Sequence, residues 1–439
     1  LNIPDGIATA SAIRDGSMTP AEAAAAVRDR VERKDSAINA ITCMADDPPP
    51  PPASANGPLA GVPWLLKASL EYPGWPFTGC SRSRADAVGA RMWPFTKACV
   101  DAGLVPVGLT GMPEFGLLTT GEALASGPVV NPLLPGRSAG GSSSGAAAAV
   151  AAGYAPLAHA SDAAGSIRIP AANCGVIGFK PSRGGNLRAR APHLIDDVLC
   201  SDMLIARTMR DVRAAYDIVG TPASNRGIDD FAGLRVGLVL NGLDGLVAQA
   251  DVTRVAHRAA IALEDRGARV ELATAPGDSA AISEAFKTIW LHEGRELTEL
   301  IEASFPHARP EDLLEPWTRG LAQKCASLPL AATADMFRQF GESERACEAF
   351  FGKYDLLLSP VAQERPIALG RHAPDRPFDE LWDDFWPFVN FTPLANISGL
   401  PSITLPFWDG PEGPTGAMLT MAQGRDLDLL ALSASVEPQ

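Results

Sequence analysis

The chain has no excess of positive charge: 37 Lys and Arg face 51 Asp and Glu, a formal net charge of −14 over 439 residues. Nucleic acid is held by clustered Lys and Arg, so it is excluded as a main partner. There is no C-x-x-C pair. The seven cysteines (Cys43, Cys80, Cys99, Cys174, Cys200, Cys325 and Cys347) are scattered and odd in number, which points to neither a disulfide framework nor a zinc site. No apolar run reaches the roughly 20 residues of a membrane helix. The longest, near Gly145 to Ala160, is interrupted by Gly153 and Pro156. Internal repeats and S-x-x-K are absent, and no Lys-Ser or Lys-Thr follows Gly145, which disfavours penicillin-binding and P-loop chemistry. No cofactor, metal or membrane is expected. A reducing, cytoplasmic compartment fits the thiols best, while the start at Leu1 leaves a trimmed leader open.

What is present has the balance of a soluble globular enzyme, 46% hydrophobic and 20% charged. Thr19, Pro20 and Glu22 stand as N-cap, first-turn proline and capping-box acid, which predicts a helix through about Arg33. We read residues 1–47 as an N-terminal helical arm, Pro48 to Pro52 as a stiff spacer, and 59–439 as the body of a single domain. Short β-like runs, LAGVPWLLK and GLVPVGL, alternate with helical stretches, which suggests an α/β fold. Leu234 to Leu240, a helix from about Ala250 to Asp265, and ARVELAT predict a β-α-β unit, and DLLLSPV, LPSITLPF and GAMLTMA are later strands.

The stretch GRSAGGSSSGAAAAVAAG, Gly136 to Gly153, has three readings. Its composition is partly that of a flexible linker. Yet it runs into an alanine-rich segment, so it looks like the entrance to a helix whose first N–H groups are free. Gly141 to Gly145 also matches G-x-S-x-G, which would make Ser143 an elbow nucleophile. The preceding NPLLPGRSAG is loop, however, and no downstream histidine has a distinctive context.

The third reading takes Gly136 to Gly184 together: GGSSSG, an Ala-rich helix, SDAAGSIRIPA, a Cys-Gly and GFKP. This stretch resembles the amidase signature of one family of serine amidohydrolases. GVPWLLK, MPEFG, Asn131-Pro132 and FTPLANISGLPSITLP resemble the family's flanking blocks, so the likeness covers nearly the whole chain. It implies a large twisted mixed β-sheet core flanked by helices on both faces. It also implies a carboxamide hydrolase with Ser166 as nucleophile, Ser142 as relay after a cis peptide at Gly141, and Lys67 as base. Ser142 and Ser166 stand 24 residues apart, as the signature requires. Backbone N–H groups of Ala163, Ala164, Gly165 and Ser166 would form the oxyanion hole, with Ser143 in support. HASDAAGSIRIPA and PEFGLLTTGEALASGPVVNP are similar to the branch that contains the 6-aminohexanoate cyclic dimer hydrolase group. The expected partner is a small-molecule amide, and a homodimer is compatible with this reading. Acyl transfer through the same acyl-enzyme and a catalytically weak binding subunit are the alternatives.

The residues are chemically consistent with that implication. Lys67 closes the apolar run VPWLL, where burial disfavours its ammonium, and a serine between base and nucleophile accepts one proton while donating another. Two departures stand out. Ala164 replaces a family glycine and places a Cβ where a glycine-like backbone could be needed. Ala68 replaces an acid, so Lys67 is expected to be held by serine and backbone contacts. Asp162 and Arg168 read as a structural ion pair, Cys174 as a buried structural thiol, and Lys180 as a rival base ranked below Lys67. Pro374 to Phe391 reads as an amphipathic helix or, more sharply, as an aromatic wall in which Trp382 and Trp386 meet the substrate beneath an acidic rim.

Overall fold

The apolar runs PWLLK and VPVGLT become strands because their β-branched and leucine side chains suit a pleated surface buried on both faces. In chain order the strands are β1 (Ile41–Met44), β2 (Pro63–Lys67), β3 (Val105–Thr110), a short hairpin of β4 (Glu122–Ala123) and β5 (Gly127–Pro128), and β6 (Leu157–Asp162). There follow β7 (Gly178–Lys180), β8 (Ser201–Ala206), β9 (Arg235–Leu238), β10 (Arg269–Leu272), β11 (Leu356–Pro360), β12 (Ser402–Leu405) and β13 (Ala417–Thr420). This computed structural model describes residues 3–190, 193–221, 232–408, 410 and 412–437.

The strands form a five-stranded sheet in the order β1-β3-β2-β6-β8 and a six-stranded one in the order β10-β9-β11-β13-β12-β7. A bridge joins them where the Ile177 N–H donates to the Ala206 carbonyl at 2.9 Å and the Ala206 N–H donates back at 3.3 Å. The result is one large mixed sheet. β2 lies parallel to β3 and β6, β9 lies parallel to β10 and β11, and the remaining pairs within the two sheets are antiparallel. Side chains along β11 alternate between two cores, Leu356 and Leu358 to one and Leu357 to the other. Helices cover both faces. Ala250–Glu264 and Asp426–Val436 pack into the first core, Ser279–Ser304 and Phe378–Phe388 into the second. The β9-helix-β10 unit takes the parallel form expected of it.

The N-terminal segment corrects the reading of an arm. Thr19 and Glu22 make the capping box and the helix runs Pro20–Lys34, but its Val27 and Val31 sit in the same core as Trp64, Leu65 and Leu66 of β2. β1 extends the sheet by pairing with β3. The first helix, Gly6–Arg14, is anchored by Gly6 and Ile7 N–H groups, each donating to Asp211 at 2.8 Å. Residues 3–47 are therefore not helical throughout, and Pro48 to Pro51 line a groove shared with Ala21, Ala24 and Ala25 of the second helix. Apolar burial on the sheet outweighs any independence that the proline run could confer.

Candidate active site

β2 and β6 run parallel, so their carboxyl ends open on the same edge of the sheet, where crevices form in α/β folds. Lys67 ends β2, and Ser161 and Asp162 end β6. The Gly/Ser run is neither linker nor elbow: helix Ser144–Ala151 starts there, and all eight of its residues are buried. Its entrance is held by the Gly145 N–H donating to the Gly111 carbonyl at 2.9 Å. The Gly141–Ser142 peptide is cis, and a Cβ on Gly141 would come within 2.6 Å of the Thr120 backbone.

Lys67 Nζ lies 2.8 Å from Ser142 Oγ, 3.0 Å from Ser143 Oγ and 3.0 Å from Ser161 Oγ. The lysine is 1% exposed, and its hydrogen-bond contacts among the described residues are three serine hydroxyls, with no backbone partner among them. Burial, and next the positive charge of Arg190, push its ammonium down to about 7 from an ordinary 10.5. Asp202 on β8 and Asp162 on β6 act against that depression. A lysine titrating there is present in substantial part as the neutral amine at neutral pH and can take a proton from a hydroxyl.

Ser142, Ser161, Ser166 and Lys67 line one open cleft of about 740 Å³. The Ser143 N–H donates to the Ser166 carbonyl at 3.3 Å and ties the two serine segments together. Ser143 itself is fully buried, its hydroxyl taken up by Lys67 and by the Ser161 backbone, so it has no access to a substrate as an elbow nucleophile would.

The loop before Ser166 is shaped by Asp162. That carboxylate accepts the Gly165 N–H at 2.7 Å and the Ile167 N–H at 3.1 Å. Arg168 grips it with Nε at 2.9 Å and a second nitrogen at 2.8 Å, and holds Asn396 Oδ1 and the Thr392 carbonyl as well. Both partners are fully buried, and the guanidinium beside Asp162 holds its carboxyl well below the usual carboxylate range. Two corrections follow for the expected oxyanion hole. The Gly165 N–H is committed to Asp162 and does not face the cleft. The N–H groups of Ala163, Ala164 and Ser166 have no hydrogen-bond partner among the described residues. Ala164, moreover, needs no glycine-like backbone: the positive φ, +116°, is at Gly165, where a Cβ would overlap the Thr392 hydroxyl. The Ala164 methyl instead packs in the second core.

Lys180 is also pushed down to about 7 by burial and Arg168, but its Nζ donates to the Pro181 carbonyl at 2.7 Å and it does not line the cleft. Placement, and not acidity, separates the two lysines. Burial pushes the Cys174 thiol up, which leaves it a poor nucleophile.

The aromatic wall assigned to Trp382 and Trp386 is not at this cleft. The two rings meet at 5.0 Å and line a separate cavity with Phe286, Lys287 and Asn390. Their helix docks on Trp317, whose ring lies 5.4 Å from Phe385, so aromatic burial turned these side chains inward. The reading of an amphipathic helix is the one observed. The cleft walls are Phe77, Phe115, Leu117, Ile195, Trp290 and Leu297, with Arg84, Arg190, His193, Asp196 and Glu293 among its polar groups. Phe115 belongs to the MPEFG block and Leu117 follows it directly, whereas the others of this set stand in no recognised motif. One signal was available: in helix Ser279–Ser304 the buried face Ile289, Trp290, Leu297, Ile301 also carries Glu293, an acid in an apolar stripe.

A buried lysine bonded to Ser142 lines one cleft with Ser166 and Ala163, an arrangement that suits a serine hydrolase acting on carbonyl-heteroatom bonds. The sequence model of the amidase family matches residues 22–430, and the chain belongs to that family. It is 32% identical over 476 residues to the 6-aminohexanoate-cyclic-dimer hydrolase of a Pseudomonas species, covering 99% of this chain and 94% of that one. It is 28% identical over 455 residues to the indoleacetamide hydrolase of Bradyrhizobium diazoefficiens, covering 98% and 85%. The solved structure of 6-aminohexanoate cyclic dimer hydrolase complexed with substrate superposes with a TM-score of 0.87 at 28% identity, over 99% of this chain and 96% of the other. Among the described residues no helix is long and apolar enough to cross a membrane.

Proposed function

We propose that this amidase hydrolyses the C–N bond of a small, non-peptide carboxamide through an acyl-enzyme on Ser166, with Lys67 as base and Ser142 as relay. The observation that carries the assignment is the 2.8 Å contact of a neutral-capable Lys67 with Ser142 in the cleft that Ser166 lines. Neutral Lys67 takes the Ser142 proton, Ser142 takes that of Ser166, and the Ser166 oxygen attacks the amide carbon. The negative charge gathering on the carbonyl oxygen is met by the N–H groups of Ala163, Ala164 and Ser166, three donors instead of the four first expected. The proton returns through Ser142 to the departing nitrogen, which leaves as an amine, and a water molecule then releases the acid by the same route. Asp162 and Arg168 keep the nucleophile loop in shape without touching substrate. Seven free cysteines support a reducing cytoplasmic setting. The chain is taken to work as one catalytic domain.

The test is to treat the protein with a fluorophosphonate and map the modified residue by mass spectrometry. Label on Ser166, abolished in Ser166→Ala and slowed in Lys67→Met, is the expected result. Label on Ser143, or amide turnover that survives Ser166→Ala, overturns the assignment. Hydroxylamine as a competing acceptor reads the division of the acyl group between water and amines.

A further inference from the structure

One acid in the cleft has no role in the chemistry above and no hydrogen-bond or ion-pair partner among the described residues. Glu293 is 7% exposed, lines the cleft from helix Ser279–Ser304, and makes no hydrogen bond or ion pair to any described residue. Its Oε2 is wholly buried and unpartnered. A buried carboxyl oxygen without a partner is uncommon, because the lost hydration is not replaced. Trp290 and Leu297 stand one turn to either side on the same helix and also line the cleft, so Glu293 is set between two apolar wall residues.

The charges around it do not neutralise it. Arg190 is occupied by Asp196 at 3.0 Å and Asp202 at 3.5 Å. Arg84 lies over the rings of Phe115 at 5.0 Å and Phe77 at 5.7 Å. His193, on the same wall, is held toward its neutral form by burial. Glu296 stands close by, its ligand atom and those of His193 and Glu293 all within 4.8 Å of one another. With Arg190 paired to its acids and Lys67 held by three serines, Arg84 is the other Lys or Arg lining the cleft among the described residues, and it lies on the Phe77 and Phe115 rings instead of on Glu293. Burial and the neighbouring acids Asp196 and Glu296 push the Glu293 carboxyl up.

We propose that Glu293 is a specificity-determining residue: it receives a protonated amine carried by the substrate, so that the cleft selects amides with an ammonium group remote from the scissile bond. The proposal rests on the amidase reading of this same cleft. An entering ammonium supplies the missing donors, pairs with the carboxylate that it stabilises, and slides its alkyl stem along Trp290, Leu297 and Phe115. The aromatic rings around the charge strengthen the preference for a cation over a neutral tip.

The experiment compares paired p-nitroanilides, ω-aminoacyl against the isosteric alkanoyl chain ending in methyl, over a series of chain lengths. The expected result is a kcat/KM ratio favouring the amine by about ten- to hundredfold at the best length, carried mainly by KM. In Glu293→Gln that ratio falls to near one. Equal losses on both substrates in Glu293→Gln, or no preference in the unaltered protein, overturn the proposal. A parallel calorimetric titration with hexylamine and with 1-hexanol needs no turnover. Binding of the amine alone, lost in Glu293→Gln, supports the subsite, whereas binding of Zn²⁺ with no response to the amine overturns it. Fluorophosphonate labelling of Ser166 keeps the two claims apart. Absent labelling with intact amine binding sinks the acyl-enzyme and spares the subsite, and labelling without amine preference does the reverse.

Discussion

Arg190→Met tests how Lys67 comes to be a base. The Lys67 ammonium is pushed down to about 7 from 10.5, by burial first and by Arg190 second. Arg190 also covers Asp196 at 3.0 Å and Asp202 at 3.5 Å, and Asp202 favours the charged lysine. Replacing the guanidinium with a thioether of similar length removes a repelling charge and uncovers two carboxylates. Both changes favour the ammonium. Since Arg190 is the lesser of the two causes, the expected rise is about one pH unit, equivalent to about 1.4 kcal/mol. The acid limb of kcat/KM then moves from about 7 to about 8. Activity falls roughly ninefold at pH 6 but hardly at all at pH 9, where the amine is neutral in both proteins. The assay is kcat/KM against pH at constant ionic strength, beside a melting curve. Arg190→Lys, which keeps the charge, should hold its midpoint near that of the unaltered enzyme. A midpoint that stays or moves down in Arg190→Met, or a loss equal at every pH, refutes the reasoning.

Two further outcomes bear on the nucleophile loop and on the wall behind it. In Gly165→Ala the φ of +116° and a Cβ 2.7 Å from Thr392 Cβ displace the Ser166 loop. Turnover should fall by about a hundredfold or more, well beyond the effect of Ala164→Gly, and the reverse order of the two losses contradicts the geometry. Glu315, beside Glu114, has its carboxyl pushed up to about 8 from 4.5 by burial and by that neighbouring charge. The folded state keeps a proton that the unfolded chain gives up, so this stabilisation is fully present below about 4.5 and is lost as pH rises through about 8. Thermal melts across that window should fall with rising pH by about 1.4 kcal/mol per unit at most, and should flatten in Glu315→Gln. A slope unchanged by the substitution removes Glu315 as its source.

The parts of the fold legible in the sequence are those set by neighbours along the chain. The capping box at Thr19 and Glu22, the apolar runs of β2, β3 and β11, and the β9-helix-β10 unit each depend on a few consecutive side chains and the period of one element. The span from Gly136 to Gly184 is of the same kind, since Ser142, Asp162 and Ser166 come from one continuous stretch. The docking of the first helix and of β1 was not legible, because it depends on Asp211 and on the edge of β3, far along the chain. Nor was the fate of Trp382 and Trp386: an amphipathic helix has an apolar face whatever it packs against, and Trp317 and Phe286 decided where that face went.

The Ala164 and Gly165 pair shows the limit most closely. Residue types determined that small side chains gather before Ser166, but not which of them takes the positive φ. That was decided by Asp162 drawing in the Gly165 N–H and by Thr392 filling the space where a Cβ would be. By itself the sequence determined the chemistry offered: two serines, a lysine at the end of an apolar strand, and the helix that begins between them. The tertiary structure decided the acidity of that lysine and the walls of the cleft, because Arg190, Glu293 and Trp290 act through space, in a low-dielectric interior, on groups with which they share no local pattern.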